Sequence, residues 1–341
     1  MKKQIFILVM VLFAATTAFG QMKKGSDPQP VNCTPGPLTP MAGQGYDYSA
    51  LVDPTGGNFT WWATKDVDFI KAGANNLAAK LSVGTDLTSA SANYGIPGGA
   101  TNDSKVNIAW SQAILAGTTD LSPTFVVVQN DAIAPNCANN LKVYQIKPIN
   151  GFTVDIKNMD QAKGSLGYTI PYAFCVSNIA SAKYSGGAIV TDYGRNVMYF
   201  EVVAANFSGS YTPSFKVSGF QTGQIITSVE LYTDAAFTST VIPTTLTGGV
   251  YTAAPVTVDG SVSNTATGVS LYVKLTIDNG TYEGLNKVDI TLAVNGTNAA
   301  GEKSVDNLDC AKPSDFNDVA TQTLTARPKV TAVAPGVFVT P

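Results

Sequence analysis

Apolar and polar positions along this chain alternate with a period of two in short runs, the spacing of half-buried strands. In the first half, Lys105-Val106-Asn107-Ile108-Ala109-Trp110, Leu141-Lys142-Val143-Tyr144-Gln145-Ile146 and Phe152-Thr153-Val154-Asp155-Ile156 follow it. Thr124-Phe125-Val126-Val127-Val128-Gln129 is instead a continuous β-branched run, the pattern of a strand covered on both faces. Residues 58–64 are short, aromatic and β-rich. In the second half, strands are predicted over 188–191, 197–204, 214–217, 225–233, 270–277 and 287–294. In Leu271-Tyr272-Val273-Lys274-Leu275-Thr276-Ile277 the odd positions are apolar, so one face is buried and the other wet. Clusters of Gly, Pro, Asn and Asp between the runs supply turns, Asp278-Asn279-Gly280-Thr281 among them. Only the stretch from Asp68 to Leu81 reads as helix, and Asn75-Asn76 weakens it. Many short strands with turns at this spacing, and no long internal repeat, predict an all-β chain of two or three tandem β-sandwich domains.

The organisation follows from where the pattern breaks. Residues 1–20 carry Met1-Lys2-Lys3, an apolar stretch from Ile5 to Ala15 and then Ala18-Phe19-Gly20, which together predict a secretory signal peptide cleaved after Gly20. The apolar stretch is too short to cross a hydrocarbon core of ~30 Å. No cysteine stands at the cleavage point, and no later run is long enough to span a membrane. Residues 21–36, with Gly25-Ser26-Asp27-Pro28-Gln29-Pro30, predict a flexible leader. A first sandwich is expected over 37–150 and a second β-sandwich region over 151–320, with a further split near Gly209 left open. Residues 321–341 read as an extended C-terminal segment.

Composition removes whole classes of chemistry. The chain of 341 residues holds no histidine, which excludes Ser-His-Asp and Cys-His catalysis and imidazole-based metal sites. A net charge of −3 provides no basic field for nucleic acid. Glutamate is confined to Glu201, Glu230, Glu283 and Glu302. Glu201, in a β-rich run, could form half of a glycosidase-type pair, or be an ordinary strand residue. Asp66 with Asp68, and Asp306, Asp309, Asp315 and Asp318, are oxygen donors of the kind calcium takes, but they match no known loop spacing and read equally as solvated loop aspartates. No metal and no cofactor is expected.

Three further groups carry expectations. An even count of cysteines in an exported chain, Cys33, Cys137, Cys175 and Cys310, predicts two disulfides stapling the domains. Of the three pairings, Cys33–Cys137 and Cys175–Cys310 each close one module. Trp61 and Trp62 point to opposite faces of a strand, so one fills a core while the other, with Tyr46 and Tyr48, could meet a glycan or a neighbouring subunit; core packing explains the pair without a ligand. Val330, Val333, Val337, Phe338 and Val339 lie in the β-branched tail, which either adds as a donor strand to a neighbouring molecule or folds back on its own domain. The leader from Gln21 to Gly36 is an alternative donor.

Phe59-Thr60-Trp61-Trp62, Val106-Asn107-Ile108-Ala109-Trp110 and Phe125-Val126-Val127-Val128, at sandwich-like spacing over residues 30–150, resemble the Ig-like and PKD-like domains of exported Bacteroidota proteins. The resemblance implies spacers, adhesive modules or building blocks of surface assemblies, and brings no catalytic residues. The chain departs from that group's secretion substrates in having no recognisable C-terminal sorting module, and from its lipoprotein pilins in having no lipobox. Few charges, 13% of residues, fit a protein whose faces meet copies of itself. The expectation is a non-enzymatic structural subunit of an extracellular or cell-surface filament or layer that associates with itself. A surface adhesin binding glycan through Trp61 and Trp62 is the alternative, and a carboxylate hydrolase at Glu201 the third.

Overall fold

In the computed structural model the described residues are 21–30, 34–41, 44–53, 55–70, 87–90, 100–101, 103–111, 114, 118, 122–131, 139–162, 164–262, 265–306 and 309–331. Among them the regular elements are strands, apart from a 3-10 turn at Thr265–Thr267 and a single helical residue, Ile114, and no helix is long and apolar enough to cross a membrane. The all-β expectation holds. The predicted strands lie where the alternation placed them, within a few residues: Lys105–Trp110, Thr124–Asn130, Asn140–Ile146, Arg195–Ala205 and Val269–Asp278. The signal-peptide expectation, and most of the stretch read as a helix, lie outside the described residues.

The first sandwich faces a sheet of Gly45–Ser49, Lys105–Trp110 and Leu87–Ala90 against a sheet of Ala100–Thr101, Phe59–Thr64, Thr124–Asn130 and Asn140–Ile146. Its core gathers Tyr46, Tyr48, Trp61, Val106, Ile108, Trp110, Val126 and Val128. Alternation puts these on the inner faces, and burying side chains of this size contributes roughly 1.5–3 kcal/mol each.

The second sandwich is larger. One sheet runs Gly164–Ser165, Thr153–Asp160, Arg195–Ala205 and Val269–Asp278, with Ile225–Tyr232 on part of the last strand's free edge. The other runs Val256–Val258, Ser210–Ser218, Val288–Asn298, Asp318–Thr325 and Tyr172–Cys175. One core fills the space between them, from Phe152 through Phe200, Phe215 and Leu271 to Leu324.

Three organisational expectations are corrected. Gly209 is a turn between strands of the two facing sheets, which share one core, so no domain border falls there. Asp318–Thr325 is an interior strand, paired to Val288–Asn298 on one side and to Tyr172–Cys175 on the other, so the C-terminal segment does not begin at 321. The leader is not flexible over its first residues: Gln21–Lys24 is a strand of the second sandwich, with Met22 fully buried in that core. The two sandwiches are therefore nested rather than tandem, the first being inserted between one strand of the second and all the others.

Candidate functional site

The strand Gln21–Lys24 closes the seam between the two sheets of the second sandwich. Gln21 and Met22 run parallel to Val256–Val258, opposite Thr257 and Val258. Lys23 and Lys24 then run antiparallel to Val269–Asp278, opposite Ser270 and Val269. Period-two alternation sends Met22 inward, while Gln21, Lys23 and Lys24 stay exposed. The Met22 carbonyl accepts from the Asp259 amide at 2.7 Å, and the Gly25 amide donates to the Gly268 carbonyl at 3.2 Å. At that crossing the chains touch backbone to backbone. A Cβ on Gly25 would stand 1.6 Å from Ser270 Oγ, and one on Gly268 would stand 2.3 Å from the Ser26 carbonyl oxygen. Only glycine fits at either place.

Beyond the strand, the leader lies on the outer face of the sheet. That face is polar where an ordinary sheet would meet water. Lys157 and Glu201 sit directly opposite each other on neighbouring strands, and both are buried. Lys157 Nζ is 3.3 Å from Glu201 Oε2. Ser270 Oγ donates to Glu201 Oε1 at 2.5 Å, and the leader adds the Ser26 amide to Oε1 at 3.3 Å and Ser26 Oγ to Oε2 at 3.0 Å. Three residues on, the Gln29 amide donates to Asp155 Oδ2 at 3.1 Å. Tyr168 closes the outer side, its hydroxyl donating to the Asp27 carbonyl at 2.7 Å and its ring lying 4.9 Å from Lys157 Nζ. Burial alone would raise the Glu201 pKa. Hydrogen bonds from Ser165, Ser270 and Ser26 and the charge of Lys157 outweigh it and hold the carboxyl below the usual range. Glu201 is thus an ionised latch for the leader.

This assigns Glu201 differently from the hydrolase reading. Its oxygens are taken by a lysine, by the hydroxyls of Ser26, Ser165 and Ser270 and by a backbone amide, all of this chain. Among the described residues no three acidic, cysteine or histidine side chains gather to hold a metal ion. Asp66 accepts from the Asp68 amide at 3.1 Å, and Asp306 from Asn317 Nδ2 at 2.7 Å.

Of the two readings of the aromatics, core packing is the one the burial fits. Trp61, Trp62, Tyr46 and Tyr48 are all buried. Trp61 Nε1 donates to the Asp103 carbonyl at 3.1 Å, and Trp110 Nε1 donates to the Tyr48 hydroxyl at 3.2 Å. The Tyr48 hydroxyl reaches the Pro37 carbonyl at 2.6 Å, and the Tyr46 hydroxyl reaches Gln44 Oε1 at 3.0 Å. None offers a ring face to a sugar. Cys33 and Cys137 and the side chain of Cys310 lie outside the described residues; Cys175 is a free, exposed thiol. Cys175 stands beside Thr325, at the end of the Asp318–Thr325 strand, whereas Asp309–Pro313 pairs with Val305–Asp306 and leads into the strand's start. With its thiol free, Cys175 takes no part in the expected Cys175–Cys310 pairing. Val330 is exposed, and the other tail positions, Val333, Val337, Phe338 and Val339, lie outside the described residues.

No signal in the sequence marked Met22, Gly25 or Ser26, because a polar, proline-rich leader of strand length carries too little periodicity. Glu201 was visible as a charge inside a strand pattern, whereas Lys157 lies just past the predicted strand 152–156 and carried no signal of its own.

No protein family profile matches the chain, and no curated protein matches it. Among solved structures, the full-length major pilin SpaD of Corynebacterium diphtheriae is similar over 73% of this chain at 8% identity and a TM-score of 0.25; the chain spans 58% of that pilin. The C-terminal domain of the Streptococcus agalactiae AgI/II polypeptide BspA is similar over 80% of this chain and 85% of its own, at 11% identity and a TM-score of 0.27. BcpA, the major pilin subunit of Bacillus cereus, is similar over 79% of this chain and 63% of its own, at 8% identity and a TM-score of 0.29. None of these ties the chain to Bacteroidota. At such scores the likeness carries no argument about function, which has to come from the leader cleft itself.

Proposed function

We propose that this protein is a non-enzymatic structural subunit of an extracellular or cell-surface assembly, a filament or layer built from copies of itself. The observation that carries the reading is the strand Gln21–Lys24, which completes a sandwich whose remaining strands all lie after the inserted first sandwich. A strand supplied from so far along the chain makes the same ladder, the same Met22 plug and the same Glu201 latch whether it comes from its own molecule or from the next. Exchange is therefore nearly neutral in contact energy, and concentration and linker geometry decide between closed and linked forms. A leader that always docks in the next molecule's cleft makes a head-to-tail contact, which gives a filament when the rotation does not close. On this reading the leader takes the donor role at that cleft, and export through residues 1–20 brings Gln21 to the N-terminus.

The test is the mass of the oxidised chain from Gln21 by light scattering, with negative-stain images of the same sample. Fibres or ordered oligomers that vanish when residues 21–29 are deleted support the reading. A monomer at every concentration sinks it.

A further inference from the structure

One piece of the second sandwich is built without a core. Ser181–Ser185 and Ala188–Asp192 form a two-stranded hairpin that, among the described residues, pairs with no other strand. Every residue of the first strand is exposed, and Ile179, Tyr184 and Val190 are exposed apolar side chains. The turn at Gly186 and Gly187 has φ values of 62° and 86°, the double left-handed turn that suits a tight hairpin. Such a hairpin is marginal alone in water, and no described residue pairs with either of its edges.

Its base is the opposite, a clamp of buried polar groups. Asn279 is fully buried; its side-chain amide donates to Ser177 Oγ at 2.9 Å, to the Tyr193 carbonyl at 3.1 Å and to Asn196 Oδ1 at 2.9 Å. Gln224 Nε2 donates to Asn279 Oδ1 at 2.9 Å. Arg327 grips both legs of the hairpin, its Nη2 donating to the Ser177 carbonyl at 2.5 Å and to the Tyr193 carbonyl at 2.7 Å, with the guanidinium 5.2 Å from the Tyr193 ring. The arm is hydrogen-bonded at its root, and its first strand is exposed along its length.

Arg327 also fixes where the tail leaves. Asp318–Thr325 and Tyr172–Cys175 run parallel, so tail and arm depart from the sandwich side by side. Over residues 326–331 the tail does not continue that ladder along its own arm: the paired register ends at Thr325, Pro328 has no amide to donate, and Val330 is 92% exposed. The sequence then runs Thr331-Ala332-Val333-Ala334-Pro335-Gly336-Val337-Phe338-Val339, β-branched and uncharged.

We propose that the arm 181–192 is the docking edge for residues 329–341 of a second copy of this chain, added as a strand. The proposal rests on the assembly reading and gives the tail its acceptor, separate from the leader cleft. Main-chain bonds along the arm's edge supply the affinity, and Tyr184, Ile189 and Val190 supply contacts for alternate tail side chains.

The test is hydrogen–deuterium exchange of the full chain, dilute and assembled, read at amides 181–185 and 188–192. The arm is expected to exchange at least about tenfold more slowly in the assembled chain. The double variant Val333→Asp, Phe338→Asp should lose that protection while amides at 21–24 keep theirs. A peptide of residues 329–341 added to the dilute chain should restore it. Assemblies whose arm exchanges as fast as in the dilute chain overturn the tail contact and leave the assembly reading standing. Arm protection equal in dilute and assembled chain, lost in the double variant, places the tail on its own arm and overturns the second copy. No assembly at any concentration overturns both.

Discussion

The two sandwiches solve the same problem with differently sourced material. The first takes its strands from one continuous stretch, from Gly45–Ser49 to Asn140–Ile146, and fills its core with large aromatics whose polar atoms end on neighbouring backbone or side chains. The second takes one strand from before that stretch and the rest from after it, and binds that strand with a buried ion pair as well as a methionine. A self-contained sandwich folds or fails as a unit. On the proposed reading, a sandwich completed from a distance carries a seam where an equivalent segment of another copy can replace its own.

Damaging each core separately puts this contrast under the most strain. Trp61→Ala removes the fully buried indole of the first sandwich and is expected to cost ~3–5 kcal/mol there, with the second unfolding transition unmoved in calorimetry. Glu201→Gln leaves Lys157 buried without its counter-charge. A loss of about 3 kcal/mol or more is expected in the second sandwich alone, with faster exchange of the leader amides. Met22→Ala empties the plug and should cost ~2–5 kcal/mol, again confined to the second transition. If either leader-side change lowers the first transition instead, the nested arrangement is wrong.

Acidity separates two groups within the second sandwich. Burial, then the negative charges of Asp155 and Asp306, push Asp318 up to about 7 against the pull of Ser314 Oγ, 3.1 Å away. The folded chain therefore holds a proton that the unfolded chain releases near pH ~4, so this group's contribution falls as pH rises from about 4 to about 7. Glu201 works the other way: its lowered pKa contributes stability above the ordinary glutamate range, lost as pH falls through the folded value. Thermal melts should show the Asp318 slope disappearing in Asp318→Asn and persisting in Glu201→Gln. The smallest effect is expected at Cys175. Cys175→Ser should change stability by no more than ~0.5 kcal/mol under oxidising conditions, as suits an exposed free thiol; a loss of several kcal/mol would reveal a disulfide there.

Much of this fold was legible in the chain. The strands around Trp110, Val127, Phe200 and Val273 follow from alternation and β-branched runs, because each buries one or both faces in the ordinary way. The strands that escaped are those whose structure depends on something distant. Gln21–Lys24 has a single buried side chain, and what holds it is the unpaired edge of strands more than two hundred residues away. Ser181–Ser185 has no burial to leave a pattern. Asp318–Thr325 alternates well, but its place in the interior follows from pairing on both sides, which composition does not show. Trp61 and Trp62 were legible as core residues, but alternation left one of them open to solvent, whereas both faces of their strand are covered. The latch was the least visible feature, because Glu201 looks like a wet-face charge until the leader lies over it, and Lys157 falls just past its predicted strand.

Residues 21–30 are, on this reading, a separable strand that completes the second sandwich. The most direct measurement is binding of a synthetic peptide Gln21–Pro30 to a chain lacking those residues, followed by calorimetry. Saturable binding that raises the second unfolding transition back to its full-chain temperature, abolished by Met22→Asp in the peptide, is the predicted result. An unchanged second transition with or without the leader, and no binding of the peptide, would contradict it.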